Sequence, residues 1–150
     1  MIKPIHGMAH MNKSIVELEN IVWEDSDFGS YVVQTSQRAV KKPLNQLSLE
    51  EIRLLLSQKI GVPYVLPIAV AALEQDILQE VHYYEGDLLN IVLRLPDAFW
   101  RDAKEERNIV AQLVREHYSQ IEEAECVEKD NLRKWGMISH EDNVEKQGDQ

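Results

Sequence analysis

Apolar positions recur at spacings of three and four along most of this chain, the period of a helix with one buried face. In "MNKSIVELENIVW" the run Ile15, Leu18, Val22 follows Ser14 and Glu17, an S-x-x-E capping box that satisfies free N–H groups at a helix start. The pattern predicts a helix from about Ser14 to Trp23. Asp27 is a candidate N-cap for a second helix, with Phe28, Tyr31, Val32, Thr35 and Ala39 on one face, ended by Lys41-Lys42-Pro43. "YVVQT" alone would also suit a strand. Ser48 and Glu51 form a second capping box before Leu49, Ile52, Leu55, Leu56 and Ile60, and Gly61 suits the left-handed position past that helix's end.

"VPYVLPIAVAALEQ" is apolar on nearly every side, the mark of a helix in the middle of a core. Pro63 and Pro67 put its start around Tyr64–Leu66, because proline is tolerated only in the first turn. "DILQEVHYYEGD" reads as an irregular acidic connection. Asp87 reads as the cap of "DLLNIVLRL", which Pro96 interrupts. Ile109, Val110, Leu113, Val114, His117 and Ile121 then share one face of a last long helix. From about Glu122 the chain turns polar, and Leu132 and Trp135 offer only a weak docking point. The fold class is all-α: a single globule of five to six helices. Residues 1–10 are expected to be a disordered extension, 11–138 the helical domain and 139–150 a mobile polar tail.

The chain has 150 residues and a formal net charge of −10. One domain fits that length. The charge disfavours nucleic acid and anionic membranes, both polyanions, and favours a basic partner. Cys126 is the only cysteine, which excludes a disulfide framework and cysteine-rich zinc sites and fits a reducing compartment. With no 18-residue apolar run and no secretory pattern, a cytoplasmic protein is expected.

Catalytic signatures are missing. The six glycines are unclustered, and neither a phosphate-binding loop nor a G-x-S-x-G elbow occurs. Cys126 sits among acids that oppose thiolate formation. His6 and His10 are four apart, but in a stretch without helical pattern; His117 reads as a packing residue, and His140 lies in the polar tail. No metal and no cofactor is expected. A metal site of His82 with Glu80 and Glu85 is conceivable without any spacing that enforces it, and Asp25 with Asp27 could be an acid–base pair only if their pKa values were driven apart. These are the basis of an alternative reading as a metal-dependent hydrolase; a helical adaptor is the third.

The distribution of charge says more than its total. From Ser14 to Gln37 there are five acids and no Lys or Arg, and the same holds from Ile60 to Leu93. Surfaces shaped only by solubility mix signs. Acid stretches flanked by aromatics suggest steering and docking. The candidate partner surface is therefore Glu24, Asp25 and Asp27 with Glu80, Tyr83, Tyr84 and Glu85, joined if the 28–39 helix packs near the 64–75 helix. The acidic run Glu122, Glu123, Glu125 and Glu128 is the fallback.

Taken together, "ELEN.VWE..DF.SY", "KKPL", "IGVPYVLPIA" and "YYEGDLL" resemble the immunity proteins of bacterial contact-dependent growth inhibition (CDI) systems, the CdiI type, over about Asn12 to Trp100. The resemblance implies a small cytoplasmic protein that binds the C-terminal toxin domain of a cognate surface effector, one to one, and blocks it. Such toxins are frequently nucleases with basic clefts, in keeping with the acidic charge. The resemblance supplies no catalytic residues.

Overall fold

The computed structural model describes residues 10–24 and 27–137. Asp25, His6, His140, the extension up to residue 9 and the tail from 139 onward lie outside the described residues.

The described residues form nine α-helices, one 3-10 turn and no strand. The all-α class holds, but the count exceeds the expected five to six. Three short helices account for the excess: Tyr118–Ala124, split from the expected last long helix, and Asp97–Arg101 and Lys129–Lys134, in stretches without a long apolar period.

Helix α1, Ile15–Glu19, starts at Ser14 with its capping box formed in both directions. It ends earlier than expected, because Asn20 takes a left-handed conformation. Helix α2, Tyr31–Ala39, is capped by Ser30, whose hydroxyl accepts from Val33 N at 3.4 Å; Asp27 is not the cap. Its buried face is Thr35, Ser36 and Ala39, whereas Phe28 and Tyr31, expected inside, are exposed. The reason is the later start. Phe28 precedes the helix, and Tyr31 stands at its first position with its hydroxyl bonded to Glu50.

A 3-10 turn at Leu44–Gln46 leads into α3, Leu49–Gln58, where Ser48 and Glu51 close the second capping box. Lys59, not Gly61, is the left-handed residue that ends α3; Gly61 instead starts α4, Val62–Gln75, with φ +60°. A Cβ at Gly61 would lie 2.6 Å from Ile15 Cδ1, so the close approach of α1 also requires glycine. Helix α4 begins before Tyr64 and carries Pro67 inside it. The missing N–H is tolerated in a helix surrounded by packing: α4 lies against α3, α5 and α7.

Helix α5, Asp87–Arg94, packs on both α3 and α4. Leu55, Leu66, Leu73, Leu88, Leu89 and Leu93 are fully buried in the core these helices share. After α6, Asp97–Arg101, the expected long helix divides into α7, Lys104–Glu116, and α8, Tyr118–Ala124. His117, half-buried, is the break: at φ −109°, ψ 18° it ends one helix and begins the next. Apolar periodicity cannot register such a break, since Val110, Val114 and Ile121 are buried on either side of it.

Helix α9, Lys129–Lys134, returns to α5. Its docking is far from weak. Buried Trp135 donates from Nε1 to Leu93 O at 2.9 Å, meets Trp100 edge-on with centroids 5.1 Å apart, and lies under the Arg107 guanidinium at 4.9 Å. Asn131 and Asn90, both buried, bond each other at 3.2 Å.

Candidate functional site

The loop between α4 and α5 is organised by Asp87. Gly86, at φ +84°, caps α5, which leaves the Asp87 carboxylate available to the loop rather than to the helix end. Its Oδ1 accepts from Val81 N at 2.9 Å, and its Oδ2 accepts from His82 N at 2.9 Å and Tyr83 N at 2.8 Å. Arg53 Nε of α3 approaches Oδ2 at 3.5 Å. Burial by itself would push the carboxyl pKa up. The three N–H groups of Tyr83, Val81 and His82, with the Arg53 charge, outweigh it and hold the group below its usual value.

This arrangement presents side chains outward. Tyr83, 61% exposed, lies with its ring under the Arg53 guanidinium at 4.7 Å. His82 meets Tyr83 edge-on at 4.1 Å and faces Tyr31 of α2 in a parallel stack at 6.3 Å. Glu50 of α3 lies between the two segments: Oε1 accepts from the Tyr31 hydroxyl at 2.7 Å and pairs with His82 Nδ1 at 2.8 Å. That bond to Glu50 raises the Tyr31 hydroxyl pKa above its ordinary value. The start of α2 and the 80–85 loop thus meet at Tyr31 and His82, with Glu50 of α3 between them.

The tyrosine pair diverges. The Tyr84 hydroxyl accepts from Asn90 Nδ2 at 3.1 Å, and the same amide donates to Cys126 O at 2.8 Å while Asn90 Oδ1 accepts from Glu128 N at 3.0 Å. Tyr84 is therefore tied to the segment leading into α9. Burial first, and then the charge of Glu85, raise the Cys126 thiol pKa. Burial is thus a larger cause than the neighbouring acids that the sequence pointed to, and Glu85 is the acid that adds to it. Glu128, the end of the fallback acidic run, pairs with Arg94 at 2.8 Å.

Glu24, Asp27, Glu80 and Glu85 are exposed. Val22 at 92% and Phe28 at 84% exposure add apolar area to the acidic segment. Among the described residues no group of three or more His, Cys, Asp or Glu could hold a metal ion, and the ion-pair partner of His82 is Glu50. Sequence reasoning put Phe28 and Tyr31 on a buried helix face and gave Glu50 and Arg53 no part in this cluster. Glu50 and Arg53, one turn apart on α3, were the available signal, but their capping-box neighbour drew the reading toward helix formation.

The described residues are all helical outside their loops, and exposed Phe28 and Tyr83 stand near exposed acids. Residues 17–110 match the family of CDI immunity proteins, and the chain belongs to that family. Comparison with curated proteins and with solved structures returns no match. No described helix is long and apolar enough to cross a membrane.

Proposed function

We propose that this protein is a non-enzymatic inhibitor that binds the C-terminal toxin domain of its cognate CDI effector in the cytoplasm, one to one, and occludes it. Family membership supports the partner class. The observation that supports the docking site is the cross-link of Tyr31, Glu50 and His82, which ties the start of α2, three residues after the exposed Phe28, to the loop that exposes Tyr83. Rigid aromatics provide contact area at small entropic cost. Acids around them steer a positively charged partner, as a nuclease with a polyanionic substrate would be. In this reading Tyr83 and Tyr84 anchor the complex, and Glu24, Asp25, Asp27, Glu80 and Glu85 form its charged margin.

The two roles separate kinetically. Asp25→Ala with Asp27→Ala slows association and flattens its salt dependence. Since Ser30 caps α2, the loss of Asp27 carries no capping cost. Tyr83→Ala with Tyr84→Ala speeds dissociation, by ~2 kcal/mol or more for a central anchor. Binding to purified toxin domain by surface plasmon resonance, on variants shown to be folded, decides the matter. Unchanged rates in both double variants would remove the interface from this surface.

A further inference from the structure

Helices α6, α7 and α9 line an open pocket of about 510 Å³, and none of its lining residues belongs to the proposed docking surface. Its lining is out of keeping with a chain of net charge −10. Arg101, Lys104, Arg107 and Lys134 contribute four cations against one carboxylate, Asp97. That carboxylate is 3.6 Å from Lys134 Nζ, which also donates to Leu95 O at 2.8 Å. Arg101 and Lys104 are exposed and have no acidic partner among the described residues, and the interaction of Arg107 is with the face of Trp135. Trp100 forms part of the wall, and its indole N–H is buried with no hydrogen-bond partner.

We propose that this pocket binds a small phosphate-bearing anion, of the pyrophosphate or nucleotide class. Arginine, lysine and indole groups only donate hydrogen bonds, so the complementary ligand is rich in acceptors. Two guanidinium forks and two ammonium groups against one acid suit an anion of more than one charge, which a diphosphate supplies and a carboxylate does not. The volume lies within the ~300–1,000 Å³ of small-molecule sites. A small anion feels mainly the charges within a Debye length of about 8 Å, whereas a polynucleotide would also meet the rest of a chain of net charge −10. Ala103, before the first turn of α7, makes no side-chain cap bond there, and the acids of that turn, Glu105 and Glu106, do not line the pocket.

The test is titration of the full chain with sodium pyrophosphate, inorganic phosphate, ATP and sodium acetate at fixed ionic strength, followed by tryptophan fluorescence and calorimetry. Saturable binding of pyrophosphate or ATP, at least tenfold tighter than acetate, is expected. Arg101→Gln with Lys104→Gln, both exposed, should weaken it at least tenfold while the melting temperature holds, and the Tyr83→Ala, Tyr84→Ala variant should bind as the wild type. The relative strength of pyrophosphate and ATP tells whether the phosphates alone are read. No binding of either, equal binding of acetate, or retention in the Arg101, Lys104 variant would overturn the proposal. So would an RNA oligomer that binds where pyrophosphate does not, or a loss of toxin affinity in that variant without any phosphate binding.

Discussion

Replacing Asp87 by asparagine leaves the size of the side chain and removes its charge. The carboxylate accepts three backbone N–H groups within 2.9 Å and faces Arg53 at 3.5 Å, fully buried. An amide oxygen could keep two of those N–H groups, those of His82 and Tyr83. The amide nitrogen would then meet Val81 N–H, donor against donor. Hydrogen bonds to a charged group contribute ~1.5–3 kcal/mol each, and breaking a buried ion pair costs ~3–5 kcal/mol. These terms overlap, so we expect a loss of about 3 kcal/mol. For a domain of this size that lowers Tm by roughly 6–12 °C. The sign of the pH effect follows from the depressed pKa. The unfolded aspartate titrates near ~3.9, so the contribution of Asp87 is fully present above that value and is lost as pH falls through the lower folded value. Wild-type stability should therefore fall more steeply than that of the variant below about pH 4, and the two curves should converge in acid. Thermal melts from pH 7 to pH 2 measure this, with hydrogen exchange at Val81, His82 and Tyr83 reporting the loop itself. A variant within about 2 °C of wild type at pH 7, or one running parallel to it into acid, would refute the assignment of Asp87 as the organiser of the loop.

Trp135→Ala should cost ~3–5 kcal/mol by chemical denaturation, because it vacates the space against Trp100 and leaves Leu93 O without its donor; a loss under 1 kcal/mol would mean that α9 is not held by this residue. Gly61→Ala should lower Tm, since a Cβ would be 2.6 Å from Ile15 Cδ1 at a left-handed φ, at a cost of roughly 1–3 kcal/mol; an unchanged melt would show that α1 yields freely. A chain beginning at Met11 should keep both its Tm and its protection against toxin. One beginning at Ser14 should lose stability, because the carbonyls of Met11 and Lys13 accept from Asn45 N at 2.8 Å and Leu44 N at 2.9 Å; equal melts for the two chains would contradict this.

Local chemistry made several elements legible in the sequence. The boxes at Ser14 and Ser48 are made by residues three apart, so their pattern survives whatever surrounds them. The uniformly apolar run of α4 leaves it no place but the middle of the fold, and it packs on three other helices. The acid segregation and the family resemblance were likewise present in the chain, and the latter holds over residues 17–110. What the tertiary structure decided depends on partners distant in sequence. Asp87 looks like a helix cap because a cap is a local motif, yet it serves the loop before it, a choice made by the left-handed Gly86 and by Arg53 of another helix. Tyr31 looks like a core residue by period; Glu50, nineteen positions on, holds it at the surface. Tyr83 and Tyr84 are neighbours in the chain, and only Arg53 and Asn90 send them apart. The break at His117 and the seating of Trp135 follow from the same physics. Periodicity records which faces are apolar, while side-chain hydrogen bonds and ring contacts, which it does not record, determine where those faces stop and what they meet.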